Sequence, residues 1–211
     1  MKFLFTLLAS LFAVSVQAQT VFEQFTADDE WPAMNIIYPG EFFCTGGGEP
    51  VLDPSQPFTC EGGKGIHIRG TEMTSELQNS QPYDWRVEGI AWFELNANWD
   101  SNYTGPVMGS WRVYPYTHLD DPETYWEGMY TGKRELVDGT FPPLWITELK
   151  FTGIGFGDLE GQKMKATEVI KTYASPVPVP YELLPEELRL LLGIGTGPEG
   201  MLDITVMSQY D

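Results

Sequence analysis

From Arg86 to Asn96 the chain alternates with a period of two, and no other feature constrains its fold as much. Val87, Gly89, Ala91, Phe93 and Leu95 share one face; Glu88, Trp92, Glu94 and Asn96 share the other with Ile90. Successive side chains of a strand point to opposite faces, so this run reads as a strand and not a helix. Strand-like segments follow at 107–114, 124–134, 144–153 and 161–173, preceded by 65–72 and 73–78, with a last one at 201–207. Turn-forming clusters separate them: Asn79–Pro82, Trp99–Asn102, Leu119–Pro122, Asp138–Thr140 and Gly157–Asp158. Short strands recurring at such intervals imply an all-β domain. Glycines inside the strands suit tight coiling, so a single closed antiparallel β-barrel is expected, with a β-sandwich as the alternative.

The flanks differ in composition. Met1-Lys2, an apolar stretch from Phe3 to Val16 and the small residue Ala18 form the pattern of a secretory signal over residues 1–18, cleaved after Ala18. A membrane span needs about 20 predominantly apolar residues, and Ser10, Ser15 and Gln17 interrupt a shorter run. The chain is therefore expected to be secreted or periplasmic, with no membrane span. Residues 19–64 read as an irregular N-terminal region, and 65–211 as the barrel domain. Within the latter, 175–193 holds a proline-rich connector followed by one short helix, with Pro185 at its first turn and Leu184, Leu188 and Leu191 on one face.

Lys and Arg total 12 against 30 Asp and Glu, a net charge of −18. So large an excess of acid repels phosphate backbones, which argues against nucleic acid as a partner. The two cysteines, Cys44 and Cys60, enclose a segment rich in Gly and Pro. In an exported chain an even pair favours a disulfide, and closing a loop of about 15 residues contributes roughly 3 kcal/mol in the chain-entropy model.

No nucleophile elbow, P-loop or zinc-ligand set is present, and Gly153, Gly155 and Gly157 have the wrong spacing for a dinucleotide loop. They read instead as a glycine-rich hairpin. His67 and His118 have no second His or Cys at ligand spacing, so neither a metal nor a cofactor is expected. Asn98, Asp100 and Asn102 have the spacing of calcium-loop oxygens but lack the glycine and distal Glu of such loops. Glu88, Glu94 and Glu127 lie beside aromatic residues and are the candidates for acid–base chemistry, though carboxylates are abundant here. Trp92, Trp111, Trp126 and Tyr130 are the candidates for stacking on a ligand. If Gly89, Ala91 and Phe93 point inward, Trp92 points outward and its claim to a lumen ligand weakens.

Thr152, Gly153, Gly155, Asp158, Leu159 and Gly161, with an alternating strand after them, resemble the hairpin of the allene oxide cyclase and dirigent-like barrels. The resemblance implies a calycin-like barrel of about eight antiparallel strands around a small-molecule cavity, and cyclisation or guided coupling as possible chemistry. The disulfide-closed N-terminal region and the proline-rich tail depart from that pattern, and no catalytic position of the family is carried over. The function expected is a secreted, acidic barrel that binds a small apolar or aromatic molecule in its lumen. A cyclase or isomerase acting in that cavity and a carbohydrate-binding module with exposed Trp are the alternatives, so whether the chain is an enzyme stays open.

Overall fold

The computed structural model describes residues 19–30, 36–38, 40–50, 60–140, 143–173 and 199–210. The expected signal sequence, the proline-rich connector and the short helix before Gly193 lie outside these residues. Among the described residues no helix is long and apolar enough to cross a membrane.

The strands are β1 (Gln19–Glu30), β2 (Ile36–Tyr38), β3 (Glu41–Thr45), β4 (Glu49–Pro50), β5 (Cys60–Glu61), β6 (Gly65–Gln81), β7 (Gly89–Asp100), β8 (Gly105–Pro115), β9 (Trp126–Val137), β10 (Leu144–Gly155), β11 (Lys163–Tyr173) and β12 (Glu199–Tyr210). All pair antiparallel. From β6 to β12 each strand pairs with the next, and β1 closes the ring by pairing with both β12 and β6. The result is an eight-strand ring, but not an even barrel. The β1–β12 pairing runs the full length of both strands, from Gln19↔Tyr210 to Glu30↔Glu199. At the β1–β6 seam only Thr26, Asp28, Asp29 and Glu30 find partners, and the register shifts between Thr26 and Asp28.

Two readings from the sequence are corrected here. The region 19–64 is not irregular throughout, because β1 is a full member of the ring. The segments 65–72 and 73–78 are one continuous strand, β6, with a register shift between Ile68 and Thr71. That shift moves the buried set from Ile66 and Ile68 to Thr71, Ser75 and Leu77, as an inserted residue in one strand must. The edge of β6 facing away from β7 is occupied in turn by β3, β2 and β1.

The inward face of β7 is Ala91, Phe93, Leu95, Ala97 and Trp99, all buried. Phe25 and Ala27 of β1, Val107, Trp111 and Val113 of β8, Leu149 and Phe151 of β10, Met164 and Ala166 of β11, and Leu202, Ile204 and Val206 of β12 join the same cluster. Burying a large apolar side chain contributes about 1.5–3 kcal/mol, so this lining holds the ring closed. Cys44 and Cys60 form a disulfide linking β3 to β5.

The register sets inward residues in transverse rows. Asp29, Gly200, Ile170, Thr147 and Arg134 stand opposite one another in succession from β1 to β9. One step further from the Val137 end of β9, the next row runs through Ala27, Leu202, Glu168, Leu149 and Gly132. Two polar positions of these rows, Asp29 and Glu168, are as fully buried as the apolar ones around them.

Candidate functional site

The β6–β7 connection plugs one end of the ring. A 3-10 turn, Trp85–Val87, follows Asp84, whose carboxylate accepts the Arg86 backbone N–H at its start. Val87 is completely buried, and Trp126 Nε1 donates to the Arg86 carbonyl at 2.7 Å. The Arg86 side chain donates to Asp84 Oδ2 at 2.6 Å, Glu23 Oε2 at 2.9 Å and Gln162 Oε1 at 3.1 Å, and lies over the Phe25 ring. Hydrogen bonds donated to Asp84, and then to Glu23, hold the Arg86 guanidinium above its ordinary value despite burial. Burial works against the Asp84 charge, but the bonds from Arg86 outweigh it and its carboxyl lies below the usual range. This end is closed by fully partnered charges.

The expected carboxylates do not converge. Glu88 braces the plug: its Oε1 accepts Ser80 N and Ser80 Oγ, each at 2.8 Å. Glu94 lies on the outer face of β7, where it accepts Asn96 Nδ2 at 2.9 Å and Ser110 Oγ at 3.3 Å. Glu127 pairs with Arg112 on the outside of β9 at 3.3 Å. Trp92 is also on the outer face, with the Arg112 guanidinium 5.9 Å from its ring.

Trp111, Trp126 and Tyr130 all point inward and are buried. Phe93, Trp111, Tyr130 and Phe151 pack against one another at centroid distances of 5.4–6.1 Å. Tyr130 donates its hydroxyl to the Glu94 backbone carbonyl at 3.0 Å. Its phenol is pushed above the ordinary range by burial first, then by the charges of Glu168 and Glu94. That coupling places Glu168 within electrostatic reach of the aromatic wall.

Glu168 and Asp29 form the feature that the sequence reading did not single out. A Cβ on Gly200 would lie 2.1 Å from Glu168 Oε1 and 3.1 Å from Asp29 Cβ. Glycine at position 200 therefore leaves room for the Glu168 carboxylate over β12, with Asp29 on the neighbouring strand. Both are 1% exposed, with Ile170 and Leu202 beside them and Ala27 nearby on β1. The sequence did carry a signal: Met164, Ala166, Glu168 and Ile170 alternate on one face of β11, and the glutamate falls on the apolar parity.

At the end away from the plug, Trp99, Arg134 and Trp145 converge. The Arg134 guanidinium carbon is 4.7 Å from the Trp99 ring and 5.1 Å from the Trp145 ring. Burial lowers its pKa to about 10, with Tyr103 acting weakly the other way. Arg134 therefore keeps its positive charge across the neutral range.

His118 stacks on Trp85 at 4.5 Å and reaches Asp158 Oδ2 at 3.3 Å. Among the described residues no group of three or more His, Cys, Asp and Glu side chains is placed to hold a metal ion. Asp100 spends Oδ1 on the backbone N–H groups of Asn102 and Thr104, as a turn-bracing Asp does. In the 153–161 hairpin, positive φ falls on Gly157 and Gly161, while a Cβ on Gly155 would meet the Leu159 carbonyl at 2.3 Å. No protein family, no curated protein and no solved structure matches this chain.

Proposed function

We propose that the protein binds a small, largely apolar or aromatic molecule inside the strand ring, the ring serving as a barrel. The observation that carries this reading is the mixed character of the inward face. An apolar and aromatic lining holds buried polar atoms in the same rows, among them Ser75 Oγ, Trp99 Nε1 and Arg134 Nε, which have no hydrogen-bond partner among the described residues. A lining meant only as core satisfies such atoms; a ligand with a few polar groups would do so here. Binding sites of this kind are mostly apolar with a small number of placed polar groups. The resemblance to allene oxide cyclase and dirigent-like barrels points the same way.

Catalysis in that interior is the second reading, favoured by two buried acidic residues, Asp29 and Glu168, both lying close to Gly200. A cyclase or isomerase needs one carboxyl to donate a proton and one to accept it in a water-poor setting. The carbohydrate-binding reading has less support: among the described tryptophans of strands β7 to β10, Trp92 faces outward, while Trp99, Trp111, Trp126 and Trp145 lie on the inward parity. A sugar platform wants several exposed rings in one plane.

The test is titration with Nile red, a neutral environment-sensitive dye, read by dye emission and by tryptophan quenching. Saturable binding at one site is expected, and Ala166→Phe, which fills the interior from β11, should weaken it at least tenfold while the circular dichroism of the strands persists. Binding unaffected by Ala166→Phe and by a second filler, Ala97→Leu, would place the dye elsewhere and overturn the reading.

A further inference from the structure

Four arginines fall among the described residues, and three have hydrogen-bonded partners. Arg69 donates to the Ile68 and Ala97 carbonyls and to Asn98. Arg86 holds Asp84 and Glu23, and Arg112 holds Glu127. The Arg134 side chain makes neither an ion pair nor a hydrogen bond with any described residue, and its Nε is buried and unsatisfied. In a chain with 30 acidic residues, a half-buried cation left without a carboxylate is the exception. Even partial burial of an unpaired charge is costly, and a counter-charge from outside the fold would offset it.

The surroundings define what that counter-charge looks like. The Trp99 and Trp145 rings lie 4.7 and 5.1 Å from the guanidinium carbon, an aromatic surround that holds the cation and leaves its N–H groups to recognise a partner. Trp99 Nε1, itself buried, is a second donor with no acceptor. Trp145 Nε1 is already engaged with the Asn102 carbonyl at 2.7 Å, so it adds no third. Tyr103, from the β7–β8 turn, sets its ring edge-on to Trp145 at 6.2 Å and supports the assembly from behind. The site thus offers N–H donors and a positive charge beside two indole rings. That set fits a planar anion carried on an apolar body.

We propose that Arg134, with the indole N–H of Trp99, binds the carboxylate of a small apolar organic acid whose body lies along the inward face of the ring. The register gives the direction of that body. Thr147 stands opposite both Arg134 and Ile170, and Glu168 is the next inward residue of β11, away from the Val137 end of β9. An acid anchored at Arg134 therefore extends toward the Asp29–Glu168 pair and the Phe93, Tyr130 and Phe151 wall. The single anchoring cation also keeps the ligand's charge apart from that acidic pair.

This proposal rests on the interior-binding reading above, and the same dye separates the two. Nile red is displaced from the native protein by 2-naphthoic acid, decanoic acid and the methyl ester of each, at neutral pH. The acids should compete at least tenfold better than their esters, and Arg134→Met should abolish that preference, each competitor being compared with the variant's own Nile red affinity. Trp99→Phe, which keeps the ring and removes the N–H, should reduce the preference several-fold. Equal competition by acids and esters, or a preference that survives Arg134→Met, overturns the carboxylate site and leaves the interior reading standing. Displacement by sodium chloride alone would mean a plain counter-ion site and would also overturn it. Failure of Nile red to bind at a saturable site defeats both.

Discussion

Arg86 and Arg134 sit at opposite ends of the same ring, both partly shielded from water, and their environments are opposites. Arg86 spends its donors on Asp84, Glu23 and Gln162, so its charge is stabilised within the fold. Arg134 is flanked by Trp99 and Trp145, lacks an acceptor for Nε, and is held less basic by burial. A buried charge that satisfies itself is a structural brace; one that does not is a cost that the fold carries for another purpose. The plug end reads as architecture and the far end as the place where something else completes the structure.

The largest effect expected from this contrast is at the plug. Arg86→Met leaves the Asp84 and Glu23 carboxylates facing one another without their cation, and removes the contact over Phe25. Breaking such a partly buried network from one side should cost about 3–4 kcal/mol, below the upper range for fully buried pairs because Glu23 is 36% exposed. The urea midpoint, with an unchanged slope, measures it. A loss under 1 kcal/mol would show that the plug is held by Val87 and Trp126 instead, and the contrast between the ends would lose its first term.

How far the molecule was legible in the sequence follows the same division. Strand β7 was legible because every inward position from Gly89 to Trp99 is apolar or small and nearly every outward one is polar or amphipathic. Strand β1 was not, because Glu23 and Asp29 share the inward parity with Phe25 and Ala27, while Phe22 is exposed on the other face. Its period was blurred by residues that serve the plug and the interior. The disulfide could be inferred from cysteine parity, since Cys44 and Cys60 had no other partner. Glu88, Glu94 and Glu127 stood out beside aromatic neighbours, yet proximity in sequence does not say which face a side chain takes. Asp29, Glu168 and Arg134 are far apart in the chain, and only the register of β1, β9, β10, β11 and β12 brings them into adjoining rows.

A second test asks whether the far end is coupled to the disulfide. β3 pairs with β6 so that Cys44 stands opposite Ile66, and Ile66 stands opposite Trp99. Replacing Cys44 and Cys60 together by Ser should cost about 2–3 kcal/mol if the denatured chain gains the freedom of a loop of roughly 15 residues. The loosening should be local. Amide exchange should quicken in β3 and in the Gly65–Arg69 half of β6, while β9 near Trp126 and the plug stay protected. Uniform loss of protection would mean that the two ends are not energetically separable.

The smallest effect is the most diagnostic, because its sign is opposite to the first. Arg134→Met replaces a half-buried cation by an apolar side chain of similar length, so the fold no longer bears the partial desolvation of an unpaired charge. Against this stand the lost contacts with Trp99 and Trp145, at about 1–2 kcal/mol each when desolvated. The lowered pKa gives the sign independently. A base less basic in the folded chain than in the unfolded one binds its proton more weakly when folded, so at pH 7 its charge opposes folding. That opposition is fully present below about 10 and fades as pH rises above it. Removing a positive charge from a chain of net charge −18 adds self-repulsion, which a measurement at or above ~0.15 M salt largely screens. A net stabilisation of about 1 kcal/mol is therefore expected in the ligand-free protein at neutral pH, read from the urea midpoint beside that of Arg86→Met. Saturating 2-naphthoate should reverse the order, stabilising the native chain above the variant by mass action. If Arg134→Met instead destabilises the ligand-free protein as much as Arg86→Met does, Arg134 is a brace like its counterpart, and the difference between the two ends disappears.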